Sequence, residues 1–137
     1  MPGQLLEGLR VLVASDHRDL VSMFAAMVGL CGGVAWVARC ASDAVSALSE
    51  RPHVVLLDTA LPDDQLTIPA SAASLDVPVV AFAIRNEDSR RLPVGLRAFN
   101  ARLLRSTDVY EVCAALRESV RRLAVGEMPG EMPTEEK

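Results

Sequence analysis

Pro52-His53-Val54-Val55-Leu56-Leu57-Asp58-Thr59-Ala60-Leu61-Pro62 (residues 52–62) is the stretch that decides the fold. The unbroken apolar run Val54 to Leu57 is too short for a helix and does not alternate as a strand with one wet face would. It reads as a strand buried on both faces, the kind found inside a parallel sheet, and it delivers Asp58 at its carboxyl end.

Runs of the same type flank it. Leu9 to Ala14 (LRVLVA), Val34 to Arg39 (VAWVAR) and Val77 to Phe82 (VPVVAF) are further strands, and Arg102 to Leu104 is a weaker fifth. Helical spacing lies between them. Leu20, Met23, Phe24, Met27 and Val28 form one apolar stripe that ends at Gly32-Gly33, a C-cap. Ser42-Asp43 is expected to cap a second helix carrying Val45 and Leu48, which Pro52 stops. From Asp63 to Asp76 the pattern allows at most a short helix, because Pro69 interrupts it, and Pro93 limits any helix after the fourth strand. Ser106, Thr107 and Asp108 offer caps for a last helix whose stripe is Val109, Val112, Cys113, Leu116, Val120 and Leu123.

Strands alternating with helices predict an α/β fold, a doubly wound five-stranded parallel sheet in a single domain, with any ligand at the carboxyl ends of the strands. That edge receives Ser15 and Asp16 from the first strand, Asp58 from the third, Ala83 from the fourth and Arg105 from the fifth.

At 137 residues, half of them hydrophobic, the chain suits one core. Residues 1–8 are expected to form an N-terminal extension, 9–124 the domain, and 125–137 a disordered acidic tail that repeats GEMP twice. No apolar stretch approaches the ~18 residues of a membrane span, and the start lacks a basic segment followed by an apolar run, so a cytoplasmic protein is expected. Cys31, Cys40 and Cys113 are odd in number and lack a CxxC pairing; they read as reduced core fillers. The formal net charge of -4 is uneven. The last twelve residues carry four Glu against one Lys, whereas Arg85, Arg90, Arg91, Arg97, Arg102 and Arg105 crowd a stretch whose only acids are Glu87 and Asp88. With Phe99 and Tyr110 the only aromatics nearby, a solvated face or an acidic protein partner is favoured over nucleic acid.

Two carboxylates and a cation at one sheet edge can hold Mg²⁺ through oxygen ligands, or present one carboxylate as a nucleophile to a phosphoryl donor. The plain alternative is that these acids are solvated loop residues.

From about Leu9 to Leu123 the sequence resembles the receiver domain of bacterial two-component response regulators, a flavodoxin-like fold. LRVLVASD is similar to that family's first strand with its acidic pair, PHVVLLDTALPDD to its phosphoacceptor segment, and VPVVAF to its fourth strand. DTALP is the most specific element, with Asp58 at the strand end and Pro62 four residues later. The resemblance implies Asp58 as phosphoacceptor, Asp16 and Asp58 as metal ligands with the Ala60 carbonyl as another contact, and Arg105 in the place of the site lysine. It implies a histidine kinase or phosphotransfer protein, or a downstream protein, as partner, and phosphorelay signal transduction as the process, with no enzymatic turnover.

Departures accompany the matches. Ser15 replaces the first acid of the pair, which weakens Mg²⁺ binding or abolishes it. Ala83 lacks the hydroxyl that reads out the phosphoryl group, Arg102 stands where an aromatic usually swings, and Arg105 is followed by Ser106 instead of Pro. A guanidinium does not substitute simply for an ammonium at a tight site. The segment from Asp58 to Ala83 is shorter than usual for the family, and Gln65-Leu66-Thr67 stands where a Gly is expected. Two readings follow: a phosphoreceiver with an atypical switch, or a phosphorylation-independent pseudo-receiver that docks partners or dimerises. Arg90, Arg91, Arg97 and Arg117 are expected on the partner face. A small α/β enzyme or nucleotide-binding protein is a distant third, since the turn ASDHRD has no glycine for a phosphate cradle.

Overall fold

The computed structural model describes residues 4–61, 67–82, 102–104 and 108–124. Five parallel strands, β1 (Arg10–Ala14), β2 (Val34–Ala38), β3 (Val54–Asp58), β4 (Val79–Phe82) and β5 (Arg102–Leu104), form one sheet in the order β2-β1-β3-β4-β5. The helices among the described residues are α1 (Arg18–Leu30), α2 (Ala41–Leu48), α3 (Thr67–Ser74) and α4 (Val109–Ala124).

Strand alternation builds two cores from one sheet. Val11 and Val13, Val54 and Leu56, and Val80 and Phe82 point to the face covered by α1 and α4, where Phe24 lies against Phe82 with ring centroids 4.6 Å apart. Leu12 and Ala14, Val55 and Leu57, and Val79 and Ala81 point to the face covered by α2 and α3. All five residues of β3 are buried, which is why that strand carries no polar residue until Asp58.

The ends of α1 follow from its sequence. His17 is the N-cap, its Nδ1 accepting from the Leu20 amide at 3.3 Å. At the other end Gly32 takes φ +88°, its N–H donates to the Gly29 carbonyl, and the Gly33 N–H donates to the Val28 carbonyl at 2.9 Å. This paired closure needs a residue that tolerates the left-handed region. Gly33 serves a different need: a Cβ there would meet Leu6 Cβ and Val28 Cγ1 at 3.0 Å.

Several local expectations are corrected. The second helix begins at Ala41 with Cys40 as N-cap, so Ser42 and Asp43 lie inside its first turn. Cys40 is exposed, unlike the buried Cys31 and Cys113. The segment expected to hold at most a short helix does hold one, Thr67–Ser74, but Pro69 does not interrupt it: it is the third residue, where the missing N–H has no intrahelical acceptor to lose. Asp108 Oδ2 accepts from the Glu111 amide at 3.1 Å and so caps α4. Leu6 is fully buried in the α1/α4 core, which carries the folded unit back before Leu9. Its turn is fastened by the Leu6 N–H to the Cys31 carbonyl and by the Arg117 guanidinium to the Leu5 carbonyl at 3.0 Å. The tail from residue 125 lies outside the described residues.

Candidate functional site

The register of β1 against β3 pairs Ala14 with Leu57. One step further along each strand the chain places Ser15 beside Asp58. Ser15 Oγ donates to Asp58 Oδ2 at 2.7 Å. The other oxygen, Oδ1, accepts from the Ala60 N–H at 2.9 Å. Ser15 in turn is held by its own N–H to the Ala38 carbonyl at 3.0 Å, and its Oγ accepts from the His17 N–H at 3.0 Å. Asp58 is 1% exposed and Ser15 fully buried, so this short chain of hydrogen bonds is shielded from water, where each bond is worth more than at a surface.

The loop after β3 turns on the same residue. The Leu61 N–H donates to the Asp58 carbonyl at 3.0 Å, and the Thr59 N–H to the Phe82 carbonyl at 2.9 Å. Asp58 therefore ties β1, its own turn and, through Thr59, the end of β4.

The other site positions fare differently. Asp16 follows Ser15 but is exposed, and its carboxylate has no hydrogen bond or ion pair among the described residues; its carbonyl accepts from Arg39 at 3.5 Å. Among the described residues no group of three or more His, Cys, Asp or Glu gathers as a metal site would require. Arg102 lies in β5, in register with Val80. Ala83, Arg105, Arg90, Arg91, Arg97 and Pro62 lie outside the described residues. Arg117 is exposed and engaged with the N-terminal turn.

Two features escaped the sequence reading. Ser15 counted there only as a lost carboxylate, whereas it is a donor aimed at Asp58. His53, which carries no pattern of its own in the sequence, has a defined structural partner: its Nδ1 accepts from the Arg10 N–H at 2.9 Å. Burial, then the nearby Arg10 charge, holds the imidazole below its ordinary range. The folded state thus favours neutral His53, and the sign follows from that. Stability is independent of this group above about pH 6.5. It falls as the pH drops below that value, until the lower folded pKa is passed. Urea midpoints should decline between pH 7.5 and 5.5, and less so in His53→Asn, whose amide oxygen can accept the same bond. An equal decline in both proteins would count against this assignment. Of the two buried thiols, Cys113 donates to the Met27 carbonyl at 3.6 Å, and burial beside Cys31 pushes it up to about 12, so it is chemically quiet.

No protein-family profile and no curated protein sequence matches the chain. Solved structures do. The signal receiver domain of a modulated diguanylate cyclase from Desulfovibrio desulfuricans G20 superposes with a TM-score of 0.74 at 16% identity, covering 87% of this chain and 98% of that one. A sensor protein from Polaromonas sp. JS666 gives 0.70 at 17%, covering 85% and 98%. The chemotaxis protein CheY4 of Vibrio cholerae gives 0.64 at 14%, covering 81% and 98%. Among the described residues no helix is long and apolar enough to cross a membrane. These likenesses are of fold, and by them the chain has the flavodoxin-like fold of response-regulator receiver domains.

Proposed function

We propose that this chain is a cytoplasmic receiver-fold module of two-component signal transduction that works by docking a protein partner, a histidine kinase, phosphotransfer protein or downstream protein, without phosphoryl transfer at Asp58 and without turnover of a metabolite. The observation that carries this reading is the 2.7 Å bond from Ser15 Oγ to Asp58 Oδ2 at a position 1% exposed. A nucleophilic carboxylate needs a free, reachable oxygen lying in line with the phosphoryl donor. Both oxygens of Asp58 are instead engaged by donors of the same chain.

Mg²⁺ fits this donor set poorly. Hard divalent ions prefer several oxygen ligands of high negative charge. The position beside Asp58 holds a neutral hydroxyl that donates toward the carboxylate, and Asp16 is exposed. Asp58 serves here as a structural carboxylate that joins β1, β3 and the following turn.

The test is intact mass after incubation with acetyl phosphate and Mg²⁺, beside Asp58→Ala and an ordinary receiver as positive control. The expected result is an adduct on the control receiver and none on this chain. An adduct on this chain that disappears in Asp58→Ala would overturn the proposal. It would establish the other reading, a phosphoreceiver with an altered switch, which is favoured by the position of Asp58 at the carboxyl end of β3 with Asp16 in the adjoining turn.

A further inference from the structure

β2 is an outer strand of the sheet. The Val34 N–H donates to the Leu9 carbonyl and the Ala38 carbonyl accepts from Ser15. Backbone groups alternate along a strand, so Val34, Trp36 and Ala38 hydrogen-bond inward to β1. Ala35 and Val37 consequently aim their N–H and C=O groups out of the sheet, where they find no partner among the described residues.

Natural sheets protect such an edge with charge, proline, a bulge or a covering element. β2 has no charge, no proline and an unbroken register with β1 across all five residues. Its exposed side chains are apolar: Val34 at 54% and Val37 at 46%, with Leu30 of the preceding helix at 70%. Val34 shares the face of Trp36 and Ala38, which pack toward α2; Val37 shares the face of Ala35, which packs toward α1. The uncovered valines therefore stand on opposite faces of one strand. A flat surface cannot cover both, whereas an added strand covers both while satisfying the backbone.

We infer that this edge is the docking surface for a second copy of the chain, the two β2 strands pairing antiparallel about a two-fold axis through Trp36 to make a continuous ten-stranded sheet. The strand is self-complementary in that register. The outward-bonding Ala35 of one copy meets the outward-bonding Val37 of the other, so each exchanges both backbone bonds, while Trp36 faces Trp36 at the closely spaced non-bonded position. Val34 packs beside the other copy's Ala38. Arg39, the first charge after the strand, falls opposite Gly33, and the Arg10 guanidinium of each copy lies over its own Trp36 ring, 5.6 Å from the centroid. This is the isologous geometry of a two-fold interface. Its extent is small beside the roughly 1,200 Å² of standard interfaces, so the dimer is weak and concentration-dependent.

Sedimentation equilibrium up to roughly 1 mM protein tests it. The expected result is a monomer–dimer equilibrium, with the emission of Trp36, the only tryptophan in the chain, changing along the same curve. Val37→Lys should raise the dissociation constant by ~10-fold or more. Val37→Pro should do the same, since it deletes an outward N–H and leaves the bonds to β1 intact. Far-UV circular dichroism confirms that each variant is folded. A wild-type monomer at every concentration overturns the inference and leaves the edge to an extended segment of another protein. A dimer that persists in Val37→Pro overturns it too, since association would then not run through the backbone of β2.

Discussion

Ser15→Asp is expected to destabilise the fold by about 3–5 kcal/mol at pH 7.5, although it restores the acidic pair that the resemblance to receivers leads one to expect. Two effects add. The hydroxyl that donates to Asp58 Oδ2 is lost, and a second carboxylate enters a fully buried position against the first. Neither carboxylate can donate to the other while both are ionised, and water cannot screen them there. The pH dependence has a definite sign. Two carboxylates sharing one site hold a proton above the ordinary range, so the folded variant binds more protons than its unfolded chain. The penalty should therefore be small near pH 4, about the unfolded pKa of a carboxylate, and grow as pH rises through the raised folded value. In the variant, added Mg²⁺ is expected to supply the missing positive charge. At a hundredfold over its dissociation constant an ion bound only by the folded state returns about 2.7 kcal/mol. Urea titrations at pH 7.5 and 4.5, with and without MgCl₂, read all three effects. If wild type gains as much from Mg²⁺ as the variant does, the residue at position 15 does not govern the response to the ion. If Ser15→Asp is as stable as wild type in metal-free buffer at pH 7.5, the bond to Asp58 is not a structural tie.

The legible part of this molecule was the part governed by runs of apolar residues. Val54 to Leu57 can be buried on both faces only inside a sheet, and its neighbours repeat the pattern, so the parallel sheet and the arrival of Asp58 at its carboxyl edge follow from composition alone. Chain ends and caps were harder. Ser42-Asp43 has the residues of a cap, yet Cys40 takes that place because α2 starts two residues earlier. Pro69 breaks a helix only past its first turn, and a sequence does not announce which turn a proline will occupy. Leu6 was missed because two adjacent leucines, Leu5 and Leu6, in a short polar stretch set no period; the burial of Leu6 depends on the distant Cys31 carbonyl and Gly33. The site was half legible. Ser15 could be seen as a missing acid, but its role as donor needs the register that carries Ala14 opposite Leu57 and hence Ser15 to Asp58.

A double-mutant cycle on Ser15 and Asp58 should give a coupling of about 1.5–3 kcal/mol, the range of a hydrogen bond to a charged group. Ser15→Ala leaves a buried carboxylate oxygen without its donor, at a cost of about 2 kcal/mol. Asp58→Ala leaves both the Ser15 hydroxyl and the Ala60 N–H without an acceptor, at a cost of about 3 kcal/mol. The double variant removes the serine–carboxylate pair together and so costs less than the sum, because the hydroxyl that Asp58→Ala would orphan is already gone. Asp58→Asn separates charge from shape. Its Oδ1 can still accept from Ala60, and its amide can donate to Ser15 Oγ, which accepts from His17 on its other side; its loss should stay near 1 kcal/mol. A coupling below about 0.5 kcal/mol, the scatter of independent sites, would mean that the 2.7 Å contact contributes nothing to the fold. A large coupling with a mild Asp58→Asn has the opposite consequence. The aspartate at the end of β3 then acts as an acceptor that holds strands and turn together, a task for which its negative charge is dispensable, whereas phosphoryl transfer could not do without it.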